Sequence, residues 1–207
     1  RQSLSGSLLC IGISLVPLIV VLAVSNGMIQ GMTERIIGLS SSHIEAVLEK
    51  GIPAVSDAAS LEDFASRLKT VEGVTNAYPE AGSAALAASS SFRIGVQVRA
   101  VLPEIFTENK SFASFFRVTD GDIGNFKRGT KAAVIGEETA RRLGLHSGDT
   151  FRLISASVNE RGTVLPKAAL LSVAAVVSSG YQELDAAWLF VPLDTGFDII
   201  RAGTGAY

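Results

Sequence analysis

The sequence predicts an α+β domain carried behind one N-terminal membrane-spanning helix, and three observations lead there. No formally charged side chain occurs from Gln2 to Thr33, and Leu8 to Val24 is dense in Leu, Ile and Val. Beyond that stretch, segments whose apolar residues recur at every second position alternate with segments at helical spacing. Strand-like and helix-like runs follow one another without the regular alternation of an all-parallel sheet, which is the pattern of an α+β chain.

The opening segment is long enough to cross a hydrocarbon core, which needs roughly 20 predominantly apolar residues. A cleaved signal peptide has a shorter apolar region, and Ala23-Val24-Ser25 is compatible with a cut. The pattern continues past that point, however. Met28, Met32, Ile36 and Leu39 recur at helical spacing, so the expectation is a retained anchor with an amphipathic extension over 1–39. Pro17 is tolerable within such a span, and Gly6, Ser7, Gly12 and Ser14 are small enough to let other membrane helices approach. Arg1 alone bears on orientation; it places the N-terminus in the cytoplasm and the bulk of the chain outside.

Residues 40–207 form the predicted extracytoplasmic domain, as a single lobe or as two closely associated ones at about 40–102 and 103–194. After Ser40-Ser41-Ser42, period-two placement of Ile44, Ala46 and Leu48 predicts a strand, and 51–59 a loop. Ser60 is the expected N-cap of a helix whose stripe is Leu61, Phe64, Ala65, Leu68 and Val71, ending at Gly73. "VTNAYP" (74–79) is expected as a short strand and the Ala/Ser-rich stretch 81–91 as low-complexity connection. From Phe92 to Leu102 the even positions are apolar while Arg93, Gln97 and Arg99 alternate with them, which predicts a strand with one wet side.

The aromatic residues of "FASFFRVTDGDIGNF" predict a packed core before a turn. In 131–155 a short apolar strand meets Gly136, a short helix follows, and a Gly-Asp turn leads to another strand. Glu137 and Glu138 at the helix start and Arg141 and Arg142 near its end complement its dipole, and Gly144 supplies the C-cap. "LLSVAAVV" reads as a buried strand, "SSGYQELDAA" as a turn-rich connection and "WLFVPL" as a final strand.

Catalysis finds little support. His43 and His146 have no metal-ligand spacing, and no nucleophile elbow is present. The Val134–Glu138 junction lacks phosphate-loop glycines, and two glutamates there would repel phosphate. Glu183 and Asp185 are expected in a solvated turn. No catalytic, cofactor or metal residue is assigned, and the chain is not expected to be an enzyme. A net charge of -2 without a basic run excludes a nucleic-acid footprint. The single cysteine, Cys10, lies in the apolar segment, so no internal disulfide is available.

Several stretches carry a family resemblance. "VVLAVSNGMIQGMTERIIGLSSSHIEA" resembles the first transmembrane segment and exit strand of the permeases of lipoprotein-releasing ABC transporters (LolC/LolE-like), relatives of MacB-type macrolide exporters and FtsX-like permeases. "VIGEETARRLGLHSGDTFRL" is similar to a family pattern V-I-G-x-x-x-A-x-x-L-G-x-x-x-G-D-x-x-x-L. "LLSVAAVVSSGYQELDAAWLFVPL" and "GVQVRAVLPE" resemble later and central strands of the same family.

The resemblance implies a MacB-like periplasmic core fold in a four-helix permease of the bacterial inner membrane. The bulk of this chain would be periplasmic, and the remaining helices would lie beyond 207. It also implies an ATPase partner that holds ATP and Mg²⁺, a second permease subunit, a lipoprotein cargo and a periplasmic lipoprotein carrier. In that family a hairpin between the strands here written "FRLIS" and "LLSVAAVV" recruits the carrier in one permease type. The corresponding candidates are Arg161, Val164, Leu165 and Pro166, the last three supplying apolar surface at an exposed tip; a plain connecting hairpin is the alternative. A macrolide or peptide exporter and a non-transporting regulator of cell-wall hydrolases are the competing functions.

Overall fold

The computed structural model describes residues 2–40, 44, 46, 57–158 and 164–201. It divides into two compact units, Arg1–Ala46 and Val47–Tyr207.

In the first unit, α1 runs from Gln2 to Ser40 as one helix, Pro17 included. Its stretch Gly12–Gly31 is apolar and long enough to cross a membrane, and none of it is buried by protein. At 1.5 Å per residue those 20 residues span about 30 Å, the thickness of a hydrocarbon core. The strand expected after it lies largely outside the described residues; Ile44 and Ala46 are exposed and belong to no strand.

The second unit begins with α2 (Ala58–Leu68). Its N-cap is Asp57, not Ser60: the Asp57 carboxylate accepts from the Ser60 backbone N–H at 2.8 Å, and the Ser60 hydroxyl accepts from the Asp57 N–H. Ser60 therefore fills the third position of a capping box whose first position is one turn earlier. Leu61 and Ala65 are buried as the stripe requires, while Val71 lies beyond the helix and is exposed.

The remaining elements are β1 (Glu80–Ala88), β2 (Arg93–Val101), α3 (Ile105–Glu108), α4 (Lys110–Ser114), β3 (Arg117–Gly121), a 3₁₀ turn (Ile123–Asn125), β4 (Ala132–Gly136), α5 (Glu137–Leu143), β5 (Thr150–Val158), β6 (Val164–Ser178), α6 (Gln182–Ala187), β7 (Trp188–Pro192) and α7 (Leu193–Arg201). The sheet order is β3-β6-β4-β7-β2-β1-β5, and β5 also pairs with β6. That last pairing closes β6, β4, β7, β2, β1 and β5 into a ring. Closure works because β6 is 15 residues long: Val164–Ser172 pairs with β5 and Ala175–Ser178 with β3, while β4 takes the opposite edge.

Two apolar clusters flank the strands. One gathers Val96, Val98, Phe151, Leu153, Leu171 and Leu189 with Phe197 and Ile200 of α7. The other is aromatic, centred on Phe106, Phe112, Phe126 and Phe190. β4 and β7 lie between them, with Ala133 and Ile135 facing one cluster and Ala132 and Val134 the other. Strands buried on both faces have no need of polar alternation, which is why "AAVIG" and "LFVP" are continuous apolar runs.

Three expectations are corrected. Residues 74–79 form no strand; the strand is the Ala/Ser stretch, which pairs with β2 from Glu80↔Val101 to Ala88↔Arg93. Small side chains have low strand propensity, but a continuous antiparallel partner supplies the ladder, and tertiary pairing overrides propensity. Arg99 does not face water: it is 8% exposed, stacks 4.7 Å from the Trp188 ring and is held by Glu80 at 2.6 Å. "SSGYQELDAA" contains α6, and the residues after β7 form the amphipathic α7. β1 and β2 pair with β5 and β7 in one sheet.

Candidate functional site

The proposed hairpin sits on β5 and β6. Their ladder runs to Val158↔Val164, with Ser157↔Leu165 and Ala156↔Pro166 behind it, so 159–163 connect the strands. Arg161 lies outside the described residues. Val164 and Leu165 are strand positions rather than loop positions, and Pro166 is an exposed strand residue. The base of the hairpin is fixed to α7: the buried Ser155 hydroxyl donates to the Ile199 carbonyl at 3.1 Å, and Lys167 Nζ donates to the Asp198 carbonyl at 3.2 Å.

A second group of polar residues converges on the loop before β4. Arg128 donates to Glu62 of α2 (2.8 Å) and to Glu104 before α3 (2.7 Å). The Gly129 N–H donates to Asp194, and the Thr195 hydroxyl of α7 donates to the Thr130 carbonyl at 2.9 Å. One loop thus ties α2, α3 and α7 together. Burial pushes the Glu104 carboxyl up, but the Arg128 hydrogen bond, its own backbone N–H and the Arg128 charge outweigh burial and lower it overall. The two carboxylates hold the Arg128 proton more firmly than usual. A small cavity of about 40 Å³ beside Glu62, Arg128 and Asp194 has room for water but not for a larger ligand.

The third group lies at the carboxyl ends of the parallel strands β4 and β6. Asp185 is buried rather than solvated: its carboxylate accepts from the Ser179 N–H (2.9 Å), the Ser179 hydroxyl (2.7 Å) and the Ser178 hydroxyl (3.1 Å). Glu183 is exposed. The two acids are therefore not brought together as an acid-base pair. Three hydrogen bonds satisfy the buried carboxylate, so Asp185 clamps α6 to the end of β6. Sequence reasoning missed this; two serines followed six residues later by an aspartate was the available signal.

Glu138 of α5 was expected only to complement the helix dipole, and it does more. Hydrogen bonds from Arg141 (2.5 and 2.8 Å) and Arg142 (2.7 Å) pull its carboxyl down to about 2. A depressed carboxyl stabilises the fold fully above its ordinary value of 4.5, and that contribution disappears as pH falls through about 2. Thermal melts of the wild type and of Glu138→Gln should therefore differ at pH 6, with wild type the more stable. The gap should narrow below pH 4.5 and close near pH 2; a gap constant over that range would refute the pairing.

His146 is exposed, 3.8 Å from the Asp149 carboxylate, and His43 lies outside the described residues. Among the described residues no group of three or more His, Cys, Asp or Glu is placed to hold a metal ion.

A closed α+β sheet with polar clamps at its helix junctions, preceded in sequence by a membrane-length helix, defines an anchored core domain. The MacB-like periplasmic core domain family matches residues 5–205, so the chain belongs to that family. No curated protein matches it. Among solved structures, the extracellular domain of the noncanonic ABC-type transporter YknZ from Gram-positive bacteria is 18% identical with a TM-score of 0.48, over 71% of this chain and 68% of that one. The periplasmic region of MacB from Actinobacillus actinomycetemcomitans is 15% identical (TM-score 0.46; 79% of this chain, 63% of that one). A domain of a putative permease protein from Porphyromonas gingivalis is 16% identical (TM-score 0.41; 62% and 54%). The chain thus spans less than two thirds of the last two.

Proposed function

We propose that the chain is the first membrane helix and periplasmic core of an ABC transporter permease. In this reading an ATPase partner holding ATP and Mg²⁺ hydrolyses ATP in the cytoplasm. The permease, paired with a second permease subunit in the bacterial inner membrane, converts that to movement of its periplasmic domain, and no catalysis occurs in this chain. The observation that carries the proposal is the family match over 5–205, which takes in a membrane-length helix at Gly12–Gly31 and the closed-sheet unit together. Clamps such as Arg128 and Asp185 support it, since a domain moved as a body must hold its helices to its sheet.

The cargo we favour is lipoprotein, passed to a periplasmic carrier at the β5–β6 hairpin through Arg161, Val164, Leu165 and Pro166. The resemblance of the quoted motifs is the ground for this choice; macrolide or peptide export and regulation of cell-wall hydrolases are the alternatives. The full chain in detergent should bind a lipoprotein carrier, and Leu165→Glu should weaken that binding at least about tenfold, since a charge at an apolar contact costs over 1.4 kcal/mol. Unchanged carrier binding in the variant removes the hairpin assignment. Reconstitution with the ATPase then separates cargoes: ATP-dependent release of an acylated protein supports the lipoprotein reading, and ATP-dependent movement of a macrolide alone supports export.

A further inference from the structure

The outward face of four adjacent strands carries a surface that neither the hairpin nor the clamps account for. Register places Arg93, Ala88, Arg152 and Leu170 in one row across β2, β1, β5 and β6. The next row is Gly95, Leu86, Ile154 and Ala168. Small residues lie between the larger ones, so the rows enclose an open groove of about 540 Å³ lined by Leu86, Ile154 and Leu170 together with Arg93 and Arg152. Leu170 is 55% exposed and Leu86 37%. Large apolar side chains left in water beside one another mark a contact surface more strongly than the same residues scattered singly.

The charge on this face is also unbalanced. Elsewhere in the unit Arg67, Arg99, Arg128, Arg141 and Arg142 each meet a carboxylate, whereas the exposed Arg117 meets none among the described residues. Arg93 and Arg152 make no ion pair or hydrogen bond among the described residues, and no carboxylate lines the groove. One strand lies between them, which sets their backbones about 10 Å apart. Each guanidinium offers a planar fork of donors suited to a carboxylate.

We propose that this face docks a protein segment that presents carboxylates beside apolar side chains. Apolar side chains with arginines set among them match the composition of protein interfaces, where arginine is enriched and lysine depleted. Two unpaired arginines on a chain of net charge -2 give the face a sign opposite to that of an acidic partner. An alkyl chain is the poorer occupant, because the open groove covers it on one side only. The inference does not rest on the lipoprotein reading: Leu170, Arg93 and Arg152 are none of the residues assigned to the carrier, and either can fail alone.

The test uses the full chain in its native membrane with a photo-crosslinking amino acid in place of Leu170. The crosslinked peptide is sequenced, and the same side chain in place of the exposed Gln182 serves as the control position. The expected result is an adduct with another protein whose crosslinked segment contains Asp or Glu beside apolar residues. Its yield should fall about fivefold or more in the Arg93→Glu, Arg152→Glu double variant and should also fall between about 50 and 300 mM salt. Thermal melts should show the double variant folded, since neither arginine has a partner to lose. Five outcomes overturn the proposal: no adduct, a lipid adduct, an adduct to a second copy of this chain, a segment without carboxylates, or a yield indifferent to charge reversal. Equal yield of the same adduct from the Gln182 position does so too.

Discussion

Phe190→Ala should lower the stability of the Val47–Tyr207 unit by about 3–5 kcal/mol. Phe190 is 1% exposed and stands in β7, between β2 and β4. Its ring lies 5.6 Å from those of Phe106 and Phe116, 6.2 Å from Phe112 and 6.1 Å from Trp188, all edge-on. Edge-on pairs of this kind add about 0.5–1.5 kcal/mol each beyond the area they bury. Truncation would leave a void that α3 and α4 cannot close without giving up their own contacts, because Phe106 and Phe112 also pack on each other at 5.4 Å. The chain has a single tryptophan, and it is in this cluster, so denaturant titration followed by Trp188 emission reads the site directly. Phe190→Leu should recover much of the loss by refilling volume. Phe92→Ala, at a residue 56% exposed, should stay within about 0.5 kcal/mol of wild type. A loss under about 1 kcal/mol for Phe190→Ala would show that the aromatic residues do not form one packed cluster.

How much of this was legible in the sequence depended on whether the information was local. The period-two pattern of β2 and the strand-glycine-helix junction at β4 and α5 are local, and both are found where the pattern put them. β1 was not legible, because nothing in an Ala/Ser run says that a strand downstream will pair with it over nine positions. Arg99 looked like a water-facing residue of β2 because its acidic partner, Glu80, and its aromatic neighbour, Trp188, are 19 and 89 positions away. Arg128 escaped notice for the same reason: its carboxylates come from Glu62 and Glu104, and only folding brings them together. The groove at Leu86 and Leu170 is the extreme case. It takes residues from four strands, and register alone decides that two unpaired arginines share its face. The hairpin was legible as a connection between two strands, but its candidate contacts Val164, Leu165 and Pro166 turned out to be part of the ladder.

Gly136→Ala should be among the most damaging single-methyl additions available to this fold, with an expected loss of about 3 kcal/mol or more. Backbone conformation is not the cause: Gly136 has φ -68° and ψ 150°, which alanine adopts freely. The obstacle is space. A methyl group there would lie 2.1 Å from the Asp185 carbonyl oxygen and 2.6 Å from its Cα, both backbone atoms that no rotamer change can remove. α6 would have to move away from the end of β4, and the Asp185 carboxylate moves with it. That carboxylate holds the Ser178 and Ser179 groups at 2.7 to 3.1 Å, so the displacement would leave buried polar groups without partners as well as strain a contact. Gly95→Ala is the matched control, because nothing stands within 4 Å of its added methyl, and it should be neutral to within about 0.5 kcal/mol. Denaturation midpoints of the two variants decide the matter. If Gly136→Ala unfolds at the same denaturant concentration as Gly95→Ala, then α6 does not rest on β4, and Asp185 does not clamp the two together.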